Sequence, residues 1–251
     1  MIKVKSEDEI GKMRRAGRIV ALALDLGNRM AKPGLRICDL DAAIEELILG
    51  ADAIPAFKGY RGYPATICAS VDEEVVHGIP DSRRLKEGGI LGLDVGAVLD
   101  GYYADAAVTI PIGRISAQAT RLMDAAREAL DAAILEARPG RRVSDISRAI
   151  QTTVEKKGFS VVRTYTGHGI GSRLHEDPQI PNYVDGQTAS RDEALACGAT
   201  LAIEPMVNEG TWRTKVLSNG WTVVTADGRL SSHFEHTVAV QPHGPEVLTV
   251  L

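Results

Sequence analysis

The chain has 251 residues, of which 44% are hydrophobic, enough to bury one large core or two fused halves. Its formal net charge of −4 is well mixed, which argues against a nucleic-acid partner, and no apolar run is long enough to span a membrane. The three cysteines (Cys38, Cys68, Cys197) form no Cys-x-x-Cys pair, and MIKVKSEDEI lacks the apolar core of a signal peptide, so a reducing, cytoplasmic setting is expected.

The first predicted element is an amphipathic helix from Glu7 to Met30, with KMRRAGR (Lys12 to Arg18) on its solvated face. KPGLRICDLDAAI (Lys32 to Ile44) follows and returns ungapped 106 residues later as RPGRRVSDISRAI (Arg138 to Ile150). Each copy reads as a basic residue, Pro-Gly, a turn, then an Asp near a helix start; Ser144 is the expected N-cap of the second. KGYRGYPATIC then concentrates aromatic residues in a chain that has few.

Two strands come next, ILGLDVGAV and GYYADAAVTI, meeting at Asp100-Gly101, the strongest short hairpin signal. Folding back there puts Asp94 and Asp105 on one face, at a diagonal spacing of about 7–8 Å. Leu93, Val95, Ala104 and Ala106 read as their buried neighbours. A second helix is predicted over Ala117 to Ala137. Strand-like runs then carry His168 in YTGHGIGSRLHEDP, Glu204 in LAIEPMV and Glu235 in SSHFEHTVAV. The duplication implies one domain over 1–251, built from two α-then-β halves (about 1–115 and 116–251) around a pseudo-two-fold axis. The first half supplies Asp94 and Asp105, the second His168, Glu204 and Glu235, and the seam is where a pocket is expected.

Buried acids are costly unless paired or holding a metal. Four of them with a histidine predict a site for more than one cation. Carboxylate and imidazole donors suit Mn, Fe or Co better, with Zn an alternative. Two such ions about 3.5–4 Å apart activate a water and polarise a carbonyl.

VDEEVVHGIP, LDVGAVLDGYYADAAVTIPIG, YTGHGIGSRLHEDPQIPNY, LAIEPMVNEG and NGWTVVTADGRLSSHFEHTVAV resemble, in order, the signature segments of type I methionine aminopeptidases, as does the opening SEDEIGKMRRAGRIVA. The resemblance spans essentially the whole chain. It implies an α+β pita-bread (creatinase/aminopeptidase) fold, two pseudo-symmetric halves forming a curved antiparallel sheet covered by helices. With neither an N-terminal zinc-binding extension nor the type II insertion, the chain is similar to the short bacterial form. The implied activity is removal of the initiator methionine from nascent polypeptides whose second residue is small.

By the same resemblance, His168 and Glu204 hold one metal and Asp94 the other, with Asp105 and Glu235 bridging both. Glu204 also accepts the proton of the attacking water, His77 contacts the substrate near its scissile amide, and His175 steadies the developing oxyanion. Tyr60, Tyr63, Cys68, Leu174 and Trp221 stand where the family forms its methionine pocket, and soft, flat surfaces suit a thioether. Asp72, Glu74 and Ser231 stand at a monovalent-cation site, contributed through carbonyls. A monomer working near the ribosome exit is implied. Because the chain begins Met1-Ile2, its own methionine should stay in place.

Several positions depart from the family pattern: Leu174 for phenylalanine, Val76 for cysteine, His233 for glutamine and Asp72 for asparagine. NYVDGQTASRDEALACG is also longer than usual. Two alternatives are a proline-directed aminopeptidase or dipeptidase of the same fold and a non-enzymatic binder. The first usually carries a separate N-terminal domain, and the second would have lost its ligands.

Overall fold

A computed structural model describes residues 2–185 and 192–251; Met1 and residues 186–191 of the longer stretch, with the expectations that fall on them, lie outside the described residues. Helix α1 spans Glu7–Met30, as its periodicity predicts. Ser6 starts it with a reciprocal cap: its hydroxyl accepts from the Glu9 N–H while the Glu9 carboxylate accepts from the Ser6 N–H at 2.7 Å. Met13, Ala16, Val20 and Ala23 form its fully buried stripe.

Helix α2 (Ile37–Gly50) returns 106 residues later as α4 (Val143–Lys156), with α3 (Ala117–Ile134) before it. The two copies make matching backbone bonds. Gly34 N donates to Leu85 O and Gly140 N to Leu195 O; Ile37 N donates to Arg83 O and Val143 N to Glu193 O. The expected Ser144 cap is corrected. Helix α4 is capped at Arg142, whose N–H donates to Asp145, and Ser144 sits in the first turn, where its N–H and hydroxyl both donate to Asp192. An acceptor from a distant segment there does the work a local cap would do. Helix α3 ends at Ile134, short of the predicted Ala137, as the chain turns ahead of Pro139.

Among the described residues, nine strands form the main antiparallel sheet. Ile54–Pro55, Ile90–Leu99, Tyr102–Pro111, Glu235–Gln241, Thr200–Ile203, Thr166–Gly169 and Glu176–Pro181 follow one another across it. Ile67–Val71 also pairs with Ile90–Leu99, and Gly244–Val247 with Glu235–Gln241. The hairpin turns at Asp100 (φ 51°) and Gly101 (φ 79°), left-handed at both central positions as a type I′ turn requires. Asp105 faces Gly96 and Asp94 faces Ala107, so the two acids are diagonal neighbours on one face. Leu91, Leu93 and Val95 alternate to the other face and pack into the core beneath α1 and α2. A second core lies beneath α3 and α4. The helices therefore bury one face of the sheet and leave the other to carry polar side chains.

Candidate metal centre and adjoining cavity

Adjacent strands converge the five candidate donors. Asp94 and Asp105 come from the hairpin, Glu235 from the strand pairing opposite Ala107, and His168 from the strand opposite Ala202; Glu204 follows immediately after Thr200–Ile203. Donor atoms of Asp105, His168 and Glu235 lie within 4.8 Å of one another. His168 Nε2 is 3.7 Å from Asp105 Oδ2 and 3.6 Å from Glu204 Oε1. Thr237 steadies Asp105, its hydroxyl donating to the Asp105 carbonyl at 2.8 Å and standing 3.1 Å from Oδ1.

Burial sets the charge state of this cluster. It pushes the Asp94 carboxyl well up, and the neighbouring Asp105 charge adds to the effect. Glu204 and Glu235 are raised in the same way, by burial first and then by the other acids. Asp105 rises to about 7 through burial, opposed by its Thr237 hydrogen bond. Burial lowers His168 to about 4, so its ring is neutral, and with Nδ1 2.9 Å from the Gly169 carbonyl the proton sits there. Nε2 is thereby left as a lone-pair donor facing the acids. Asp94 Oδ1 is buried with no hydrogen-bond partner among the described residues. Crowded acids that repel each other, an orphaned carboxylate oxygen and a neutral imidazole are what hard or borderline divalent cations complete.

All five donors open onto one cavity of about 280 Å³, which also receives His77, His175, Tyr60, Tyr63, Cys68, Leu174 and Trp221. Sequence reasoning did not single out Phe57, Arg61 and Tyr165, which line it too. Tyr165 was within reach, since it stands three residues before His168 in a chain poor in aromatics. Tyr63 packs edge-on against Trp221 at 5.1 Å, and its hydroxyl donates to the Ile67 and Gly78 carbonyls. His77 stands edge-on to Tyr165 at 5.6 Å and adopts φ 59°, a left-handed conformation rare for a residue with a side chain. The His175 ring lies 4.3 Å from that of His168, tilted by 53° to it, and its Nδ1 is 2.8 Å from the Tyr60 hydroxyl. Burial lowers both His77 and His175 to about 4.

Of the departures from the family pattern, one lines this cavity. Leu174 is buried in its wall. His233 is buried, and its Nε2 has no hydrogen-bond partner among the described residues and lies 3.8 Å from Glu204 Oε2. Val76 packs in a small cluster with Met206 and Val223. The three candidate monovalent-cation residues lie outside the cavity lining: Ser231 N donates to the Asp72 carbonyl, while the Glu74 carboxylate accepts from Val71 N and pairs with Arg83.

A buried acid–imidazole cluster lining an aromatic cavity is the equipment of a metal-dependent hydrolase. The chain belongs to metallopeptidase family M24, whose profile residues 11–242 match. It is 50% identical over 249 residues to methionine aminopeptidase 1 of Bacillus subtilis, with 99% of each chain covered. The crystal structure of methionine aminopeptidase from Thermotoga maritima superposes with a TM-score of 0.96 at 47% identity, covering 100% of both chains. Prolidase from Pyrococcus furiosus shares the fold (TM-score 0.78, 21% identity), and the match covers 99% of this chain but 65% of that one. The fold is thus the expected pita-bread architecture, a curled antiparallel sheet with four helices. Full-length identity near one half lies with the methionine aminopeptidases, not with the proline-directed enzymes.

Proposed function

We propose that this protein removes the N-terminal methionine from polypeptides whose second residue is small. The observation that carries this reading is the junction of the five-donor cluster with an aromatic-lined cavity of about 280 Å³. Asp94, Asp105, His168, Glu204 and Glu235 would hold two divalent cations, drawn from Co, Mn, Fe and Zn. When bound, these supply Lewis-acid activation of water and of the scissile carbonyl.

The chain's own residues do the rest. Tyr60, Tyr63, Cys68, Leu174 and Trp221 hold the methionine side chain, and the polarisable thioether matches their aromatic edges. A carboxylate oxygen of Glu204 takes the proton from the attacking water and passes it to the leaving amine. His77, neutral in its buried position, hydrogen-bonds the substrate at the scissile amide. His175 donates to the oxygen that gains charge; its ring is already oriented by Tyr60, so little reorganisation accompanies the reaction. Asp72, Glu74 and Ser231 form a monovalent-cation site through their carbonyls.

The chain works as a single catalytic domain whose halves meet near residue 115. It acts as a cytoplasmic monomer on nascent chains close to the ribosome exit. Methionine release from Met-Ala-Ser peptides, set against release from Xaa-Pro peptides by the same metal-loaded protein, tests the reading. Faster cleavage of the Xaa-Pro series overturns it.

A further inference from the structure

Behind His175 lies an ion pair that the reaction described above does not use. Lys5 Nζ sits 2.8 Å from Glu176 Oε2, and their side chains are only 5% and 1% exposed. Ion pairs removed from water to this degree are uncommon, and one partner left alone is strongly disfavoured. The pair joins two segments 171 residues apart in sequence: the strap ahead of α1 and the turn that presents His175.

Both ends of this pair are fixed. On the strap, Lys5 N donates to Gly198 O at 2.7 Å, Val4 bridges Ala199, and Ser6 begins the capped helix one residue later. Lys5 Nζ also donates to the Lys3 carbonyl at 3.1 Å. On the turn, the other oxygen of Glu176 accepts from the Ser172 hydroxyl at 3.1 Å and the Arg173 N–H at 3.2 Å. Glu176 therefore ties residues 172–176 into a closed loop while its second oxygen reaches across to the strap. The Lys5 stem lies against Gly171 so closely that a Cβ there would collide with Lys5 Cε. The loop cannot move toward the strap, because the stem blocks it, nor away from it without separating buried charges.

We infer that Lys5 is a positioning residue for His175, acting through Glu176 to hold the imidazole over the metal centre. This inference rests on the catalytic role proposed for His175. A displacement of about 1 Å in a group aimed at the reacting atoms can cost about 100-fold in rate. Tyr60 fixes one ring nitrogen of His175, but nothing in that contact fixes the backbone from which the ring hangs. The ion pair does.

The test is a double-mutant cycle on manganese-loaded protein with a Met-Ala-Ser peptide. Lys5→Met keeps the packed stem and removes the charge; Glu176→Gln keeps an acceptor for Ser172 and Arg173. Each should lower kcat about 10- to 100-fold with KM changed less than about threefold and metal content unaltered. In a His175→Ala background, Lys5→Met should change kcat by less than about twofold, because the residue it positions is gone. Equal losses in both backgrounds overturn the inference and make the pair merely structural; so does a Lys5→Met enzyme with wild-type kcat. If Lys5→Met does not fold, Glu176→Gln carries the same cycle. Nitrogen-15 spectra of the histidine rings give an answer independent of turnover. Lys5→Met should shift the His175 resonances and leave those of His243 in place, and an unmoved His175 overturns the inference. Should His175→Ala retain full activity while those shifts occur, the catalytic assignment of His175 fails and the mechanical link stands.

Discussion

At the residue scale, each proposed role follows from what a side chain touches. Glu204, one of the five proposed donors, lies 3.6 Å from His168 Nε2 and 3.8 Å from His233 Nε2. Glu204→Ala should lower turnover by several orders of magnitude, since it deletes a ligand and the proton acceptor together. A variant within tenfold of wild type would remove Glu204 from the mechanism. His77→Ala and His175→Ala should each cost roughly two to four orders of magnitude in kcat while metal content stays normal. Metal lost from either variant would mean that its imidazole is a ligand and that the coordination set needs redrawing. Leu174 tests the pocket instead of the chemistry. It is buried in the cavity wall, and a branched side chain leaves a looser fit than a flat ring. Discrimination of one methylene amounts to about 1–3 kcal/mol, so the effect should be graded. Leu174→Phe should sharpen the preference for methionine over norleucine at constant metal content. An unchanged ratio of kcat/KM values for the two would show that Leu174 does not shape the pocket.

At the element scale, what could be read from the sequence was whatever chemistry is local. The Asp100-Gly101 turn needs two left-handed residues, and that requirement carried the hairpin, its register and the diagonal placement of Asp94 and Asp105. Helix α1 was legible end to end because its apolar period lies in one stretch of chain. The start of α4 was misread for the opposite reason: the acceptor for Ser144 is Asp192, 48 residues away, and no local pattern announces it. The Lys5–Glu176 pair was invisible for the same reason. Tyr165 and Phe57 were missed because an aromatic residue declares its bulk in a sequence but not the wall it joins. Close approaches are equally silent until the elements dock. Gly17, inside α1, faces the backbone carbonyl of Leu248, and any Cβ there would overlap it. Helix propensity alone would make Gly17→Ala stabilising by up to about 1 kcal/mol. Overpacking against an immobile backbone atom costs about 1–3 kcal/mol and should win. Gly50, at the end of α2, meets nothing within 4 Å and serves as the contrast. Gly17→Ala should therefore lower Tm by several degrees, whereas Gly50→Ala leaves it level or slightly higher; equal Tm values would mean that Leu248 yields freely.

At the scale of the whole molecule, the cluster of buried, mutually repelling acids opposes folding of the metal-free chain. The sign of its pH dependence follows from the shifts. Buried His168 and half-buried His77 are held down to about 4 from an ordinary value near 6.5, so the unfolded chain binds more protons between those values and stability rises with pH there. Above about pH 6.5 both states hold these rings neutral, and that contribution is flat. The acids act in the opposite sense. Asp105 is raised to about 7, and Asp94, Glu204 and Glu235 are raised well above their ordinary values. The folded, metal-free protein then keeps protons that the unfolded chain has released, and stability falls as pH climbs through the folded values. Above about pH 6.5 the histidines add nothing further and the raised acids set the sign, so the Tm of chelator-stripped protein should be lower at pH 8.5 than at pH 6.5. Divalent cations take the place of those protons. Loading with manganese should flatten or reverse the slope and raise Tm most at the alkaline end, with proton release on binding measurable by calorimetry in buffers of different ionisation enthalpy. The same loading should restore activity lost to the chelator. A stripped protein whose Tm rises from pH 6.5 to 8.5 would show that the acids are already ionised and compensated without metal, and the cluster would lose its claim to be a cation site.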